Sequence, residues 1–286
     1  MMEISLQGAG ICLVSSAAAP CLNGDMPLDG RRGRTAFLFS AGAAPRPGTG
    51  CELQSVFPKF AEALDELCAR LHPYLELPLR TVMQAADGTR TAALLDRESF
   101  AGPALFALQV AQYRLLRSWG VRPDVVFGQA AGRMAAAYAA GVFGLPEACH
   151  AVGTLARLLG GLSAPPGRPP RPDQIAGAYR RTLATLHPGV PRLPLLSDVT
   201  ARPVGAETAE PEFWVRHAPA RFADAVGRLH RYGVRTWLEL GPGDLLTRLL
   251  PDCLPAGAQP PTAYALARDW QVLWAADGAG PGAVPH

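Results

Sequence analysis

Short apolar runs and helical stripes alternate along this chain. Residues 35–40, 124–128 and 237–240 are mostly apolar, which is typical of strands buried on both faces of a parallel sheet. Apolar residues recur with helical spacing through 57–71 and 102–119. An Ala-rich helix follows the second of the apolar runs after a tight turn, which is a βα arrangement. The pattern therefore predicts an α/β fold with a mostly parallel central sheet flanked by helices.

The chain divides into three predicted parts. Residues 1–33 alternate weakly and read as a leader or an added edge strand, and 34–250 hold the α/β domain. Within that domain, 163–173 are rich in proline, which excludes a helix or a central strand and predicts a flexible connector. Residues 251–286 form a C-terminal extension with a disordered tail. The remaining predicted elements are helices at 132–142, 145–162, 174–186 and 222–232 and a strand at 193–199.

The composition excludes several classes of function. Of 286 residues, 49% are hydrophobic and 18% charged, and the net charge of +3 rests on arginine because Lys59 is the only lysine. No basic run is interleaved with aromatic residues, which argues against nucleic-acid binding. No apolar run approaches the ~20 residues that span a membrane.

Six cysteines are scattered along the chain without a CxxC pair. This spacing argues against both a zinc site and a disulfide framework, so buried free thiols in a reducing cytoplasm are expected. The apolar residues 10–19 lack the preceding Lys or Arg of a signal peptide. We expect a cytoplasmic protein with no metal and no cofactor.

Several segments, in one order, carry a resemblance to a known family. They resemble malonyl-CoA:carrier-protein transacylases and the acyltransferase domains of polyketide synthases. The segments are 35–50, 57–71, 101–128, 194–204, 221–233 and 237–250. The resemblance implies a hydrolase-like core in which a serine, on a turn reading Gly-His-Ser-x-Gly-Glu, attacks an acyl-CoA thioester. A histidine activates that serine, and the acyl group then passes to a carrier protein.

The turn of this chain departs from the family motif. It reads Gly-Gln-Ala-Ala-Gly-Arg over residues 128–133. Ala130 occupies the nucleophile position, and a methyl group cannot form an acyl ester. Gln129 replaces the neighbouring histidine, and Arg133 replaces the glutamate, which inverts the local charge.

Three further family positions also differ. The glutamine that helps to build the oxyanion hole aligns with Gly42, and the arginine that pairs with a substrate carboxylate aligns with Leu155. The general-base histidine aligns with Arg168, inside the connector. That connector also replaces the family's small ferredoxin-like subdomain, which we therefore predict to be deleted.

Other side chains could line the vacated pocket. The candidates are Ser40, at the end of the first strand, and His217, with Gln129, Ala130 and Arg133 at the turn. A structural role is the favoured interpretation for both, with Ser40 as a strand-end hydroxyl and His217 as a partly exposed loop histidine. Spacing alone assembles no Ser–His–Asp set.

Three functions remain open from the sequence. The first is a non-catalytic partner that binds an acyl carrier protein or another polyketide synthase component. The second is an enzyme of altered chemistry (acyl transfer, thioester hydrolysis or non-covalent catalysis on a carrier-bound intermediate). The third is a subunit whose opened face is buried in an oligomer or a hetero-complex. None of the three is a conventional malonyl transferase.

Overall fold

A single parallel sheet organises the protein. The computed structural model describes residues 33–42, 44–161, 171–216 and 219–276. The strands in these ranges are β1 (Arg34–Phe39), β2 (Val125–Gly128), β3 (Leu195–Leu196), β4 (Val234–Leu240) and β5 (Thr262–Ala265). Their order across the sheet is β3-β2-β1-β4-β5, and every pairing is parallel. The predicted α/β fold with a parallel central sheet is confirmed.

Helices cover both faces of the sheet. They are α1 (Cys51–Val56), α2 (Pro58–Leu71), α3 (Leu79–Met83), α4 (Glu98–Ser118), α5 (Arg133–Ala139), α6 (Leu145–Leu159), α7 (Pro172–Leu183), α8 (Pro211–Val215), α9 (Phe222–Arg231), α10 (Leu245–Cys253) and α11 (Leu266–Ala276). Phe37 and Phe39 of β1 point into the larger core, and Ala36 and Leu38 into the smaller one, as the period-2 alternation of a strand requires. No helix in the described ranges is long and apolar enough to cross a membrane.

The three central strands end together at one edge of the sheet. Phe39 pairs with Gly128 of β2 on one side and with Leu240 of β4 on the other. The long helix α4 packs behind these strands and ends at Ser118, and Gly120 follows its cap residue with a φ of 78°, which suits the left-handed closure of a helix. This carboxyl-terminal edge is where parallel α/β sheets place their functional loops.

The predicted strand at 193–199 is much shorter in the structure. Only Leu195–Leu196 form β3. The hydroxyl of Ser197 accepts the N–H groups of Val199 and Thr200, both at 3.2 Å, and this local hydrogen bonding turns the chain out of the sheet.

The sheet continues beyond residue 250. That predicted boundary falls inside α10, and β5 then pairs with β4. The rings of Trp270 and Trp274 in α11 contact Phe57 edge-on, with centroids 5.3 and 5.2 Å apart. Residues 251–276 therefore belong to the same fold as the rest of the domain.

Some sequence predictions fall outside the described ranges. These are the leader at 1–32, nearly all of the connector and the tail from 277. Around the connector, the described residues form only α6 and α7, so no strand of a small subdomain lies in them.

Candidate functional site

A sharp turn joins β2 to α5 at the carboxyl-terminal edge of the sheet. The N–H of Gln129 donates to the carbonyl of Phe39 at 3.0 Å, and a short 3₁₀ turn (Ala130–Gly132) leads into the helix. Ala130 has a φ of 46° and is exposed. Positive φ is strained for a residue with a Cβ, and such strain is found at functional turns. The backbone therefore forms a strained strand-to-helix turn at the position where the resemblance predicts the nucleophile turn, with a methyl group at its tip.

Close packing explains the two glycines of this turn. A Cβ on Gly132 would collide with the carbonyl of Phe39, and one on Gly128 would lie 2.6 Å from the Cβ of Ala136. Both positions let a helix approach the strand backbone more closely than any side chain would allow. The glycines are thus needed for the turn itself, whatever residue stands at its tip.

Replacing Ala130 by glycine should stabilise the protein. Glycine adopts a φ of 46° without steric cost, and the exposed methyl group contributes little burial. We expect a gain of about 1 kcal/mol in the free energy of unfolding, measured by urea denaturation. Ala201→Gly is the matched control, because Ala201 has a φ of 53° but is buried and would lose packing. A loss of stability in Ala130→Gly would contradict the strain argument.

Arg133 and Asp198 form a buried ion pair beside the turn. Their side chains are 13% and 5% exposed, and Nη1 lies 3.7 Å from Oδ1. The other carboxylate oxygen of Asp198 accepts the N–H of Ala130 at 2.9 Å. Nη2 of Arg133 donates to the carbonyls of Trp214 and Arg216, both at 3.1 Å. The arginine therefore ties the turn to the segment after β3 and to α8.

Asp198 was not among the residues singled out from the sequence. The sequence could have indicated it, because Asp198 is the one carboxylate that closely follows the apolar run 193–196. A carboxylate in that position lies at the carboxyl-terminal edge of the sheet and must find a donor if it is buried. Here the donor is the backbone N–H of Ala130, and the guanidinium of Arg133, with Nη1 3.7 Å from Oδ1, balances the charge without a hydrogen bond to the carboxylate.

Leu245 occupies the space beside Gly42. A Cβ built on Gly42 would collide with the side chain of Leu245, the first residue of α10. A glutamine at position 42 would therefore meet leucine atoms instead of an open oxyanion pocket. The structure offers no side-chain donor at this position.

Ser40 lies close to the turn but is not available to a substrate. It is 2% exposed, and its carbonyl accepts a hydrogen bond of 2.7 Å from Gln109 of α4. Its hydroxyl would lie 2.6 Å from a Cβ on Gly241, so the two strand ends press against each other. This burial favours a packing role for Ser40 over a role as nucleophile.

The remaining candidates are placed apart or outside the described ranges. Leu155 lies on α6, half-buried against the larger core. Gln129 is half-buried, and its Oε1 is buried with no described hydrogen-bond partner. Arg168 and His217 both lie outside the described residues. Their contribution to a pocket stays a prediction.

A cavity of about 340 Å³ lies beside Arg133, which forms part of its wall. Its walls contain hydroxyls and charges of both signs. The lining residues are Arg133, Ser197, Val199, Thr200, Glu207, Glu210, Glu212, Phe213 and Arg216. Glu212 binds Arg180 bidentately at 2.6 and 2.9 Å, and this hydrogen bonding lowers the pKa of the Glu212 carboxyl.

Two buried thiols are poor nucleophiles. Burial raises the pKa of Cys68 and of Cys149 to about 12, so both stay protonated at neutral pH. Cys51 is exposed, which corrects the expectation that the thiols are all buried. We expect iodoacetamide to alkylate Cys51 in the native protein, and Cys68 and Cys149 only after unfolding, as peptide mass mapping would report. Native labelling of Cys149 would contradict this burial.

No group of three or more His, Cys, Asp or Glu in the described ranges is arranged to hold a metal ion.

The fold and the turn together define an α/β domain of the acyltransferase type. Residues 36–171 match the family model described as the acyl transferase domain. The acyltransferase domain from the second module of the salinomycin polyketide synthase superposes with a TM-score of 0.71 at 28% identity, covering 89% of this chain and 79% of that one. The chain is an acyltransferase-type domain like those of modular polyketide synthases.

Two further relatives set the scope of this likeness. The spectinabilin polyketide synthase system protein NorB of Streptomyces orinoci is 34% identical over 78% of this chain. The chain spans 13% of the length of that relative. One chain in the structure of a type II polyketide acyl-carrier protein in complex with its malonyl-transacylase shares the fold, with a TM-score of 0.67 at 18% identity, covering 86% of this chain and 99% of that one.

Proposed function

We propose that this chain is an acyltransferase-like domain that binds an acyl carrier protein or another polyketide synthase component without transferring acyl groups through the usual turn. The observation that carries the proposal is the exposed methyl group of Ala130 at the tip of a fully formed nucleophile turn. Acyl transfer through an ester needs a hydroxyl or thiol at that tip, and its removal costs many orders of magnitude in rate.

The surroundings of the turn support the same proposal. Arg133 is held by two carbonyls and Asp198, so its guanidinium is committed to the structure. Leu245 fills the space beside Gly42 where an oxyanion donor would project. The turn is thus stabilised as a structural element, with its catalytic surroundings replaced by packing and an ion pair.

Binding and turnover measured together test this proposal. Purified protein should bind a holo-acyl carrier protein from the producing organism in isothermal titration calorimetry. It should form no acyl adduct by intact-mass analysis after incubation with malonyl-CoA. Absence of binding to carrier and synthase components would contradict the proposed binding function. A malonyl adduct would contradict the proposed absence of acyl transfer.

A second candidate function is an enzyme of altered chemistry. The observation that favours it is the polar cavity beside Arg133, whose lining includes Glu210, a residue whose carboxylate has no hydrogen bond or ion pair to a described residue. A carboxylate in a cavity of this kind can act as a general base. If the protein turns over an acyl-carrier thioester and the substitution Glu210→Gln lowers the turnover rate, this function is supported over the first.

A further inference from the structure

Arginines gather at the amino-terminal edge of the sheet, opposite the nucleophile turn. Arg34 opens β1, Arg235 is the second residue of β4, and Arg228 and Arg231 lie one turn apart at the end of α9. The guanidinium of Arg34 stacks on the ring of Tyr232 at 3.7 Å and donates to its carbonyl at 3.0 Å. We call the surface formed by these four arginines the arginine face.

Backbone carbonyls hold part of this face in place, and its charge stays exposed. Arg235 donates to the carbonyls of His230 and Val234 at 2.9 and 2.8 Å, and its side chain is not in an ion pair within the described ranges. Arg228 and Arg231 are exposed and have no side-chain hydrogen bond or ion pair to any described residue. Burial lowers the pKa of His230, and the charges of Arg235 and Arg231 lower it further.

Two carboxylates on the elements that form this face already have partners. Asp124 accepts the N–H of Thr35 at 2.8 Å, and Asp224 binds Arg221 at 2.7 Å. The arginine face therefore presents two exposed cationic side chains, Arg228 and Arg231, that no described residue neutralises through an ion pair. A surface of this kind attracts an acidic partner through long-range electrostatics.

We propose that the arginine face is the surface that binds the acidic face of an acyl carrier protein. The identity of the partner rests on the proposed function, whereas the position of the surface comes from the charges. In acyl transfer the carrier must approach the nucleophile, because its arm has to reach that atom. A turn that ends in a methyl group imposes no such requirement, so the partner docks where the charge lies.

The double variant Arg228→Glu/Arg231→Glu tests this surface without breaking a described contact. Calorimetry with a holo-acyl carrier protein at low salt should show binding weakened about tenfold or more. The matched control is Arg90→Glu/Arg97→Glu, which carries the same change in charge on exposed arginines without described side-chain partners. Arg97 directly precedes α4, whose other end leads into β2, so it lies towards the opposite edge of the sheet.

A third variant separates this inference from the proposed function. Arg202→Glu/Arg216→Glu changes exposed arginines on the side of the nucleophile turn. If this variant loses carrier binding and the Arg228/Arg231 variant keeps it, the arginine face is wrong and the binding function stands. If the wild-type protein binds poly-L-glutamate but no acyl carrier protein, the proposal that a carrier protein binds the arginine face is wrong. Binding of neither probe overturns the arginine face and the carrier together.

Folding must be excluded as the cause of any loss. A glutamate near the carboxyl-terminal end of α9 opposes the helix dipole, so a neutral variant, Arg228→Gln/Arg231→Gln, is measured in parallel. It should weaken carrier binding in the same direction, by a smaller factor, with an unchanged circular dichroism spectrum. Unchanged binding in the neutral variant would overturn the proposal.

Discussion

Ala130→Ser is expected to leave the protein unable to form a malonyl ester. The new hydroxyl would stand at an exposed tip with a positive φ of 46°, as a nucleophile requires. It would lack a donor at Gly42, and the apolar Leu155 stands where the resemblance places the arginine for a substrate carboxylate. Without transition-state stabilisation by an oxyanion donor, a hydroxyl alone gives little acceleration.

Intact-mass analysis after incubation with malonyl-CoA measures this outcome. Ala131→Ser is a matched control, because Ala131 is the next residue of the turn and is also exposed. The two variants should be equally unmodified. A stoichiometric malonyl ester at position 130, absent at position 131, would contradict the expectation that a hydroxyl alone is insufficient.

Introducing a side-chain donor at position 42 requires two substitutions. Gly42→Gln alone should destabilise the protein, because the new side chain collides with Leu245. Leu245→Ala should relieve that collision. Among these variants, we expect malonyl transfer to be highest in the triple variant Ala130→Ser/Gly42→Gln/Leu245→Ala.

Arg133→Ala should be strongly destabilising. The substitution leaves the buried carboxylate of Asp198 without its cation, and removes both hydrogen bonds to the carbonyls of Trp214 and Arg216. Breaking a buried pair in this way costs about 3–5 kcal/mol. We expect a corresponding loss in the free energy of unfolding by urea denaturation.

Two controls separate the ion pair from general damage. The double variant Arg133→Ala/Asp198→Ala should lose less than the sum of the single variants, because no charge is left uncompensated. Arg180→Ala removes the cation of an exposed pair with Glu212 and should change stability little. Additive single losses at Arg133 and Asp198 would show that the two side chains do not interact.

The sequence predicted the central strands well because they are apolar runs bounded by turn residues. β1, β2 and β4 fall where these runs lie. β5 was missed because its residues, Thr262–Ala265, are short and half-exposed at the sheet edge, where burial does not impose an apolar pattern. β3 was predicted too long for a different reason, because Ser197 ends it through its side-chain hydrogen bonds.

The candidate site was only partly accessible from the sequence. The turn at 128–133 was found because it aligns with the motif of the family that the sequence resembles, and both glycines of that motif remain. The pairing of Arg133 with Asp198 and the contact of Leu245 with Gly42 were not found. Both join residues that are far apart along the chain, so their proximity depends on the tertiary fold and leaves no local pattern.

Two buried glutamines of α4 hold the strand ends from behind the sheet. Gln109 donates to the carbonyls of Ser40 and Leu240, and Gln112 exchanges two hydrogen bonds with the backbone of Gly241. These anchors lie in the interior and use no atom of the turn. Architecture and chemistry are therefore assigned to separate side chains, and the scaffold that positions a reacting group can persist when that group is absent.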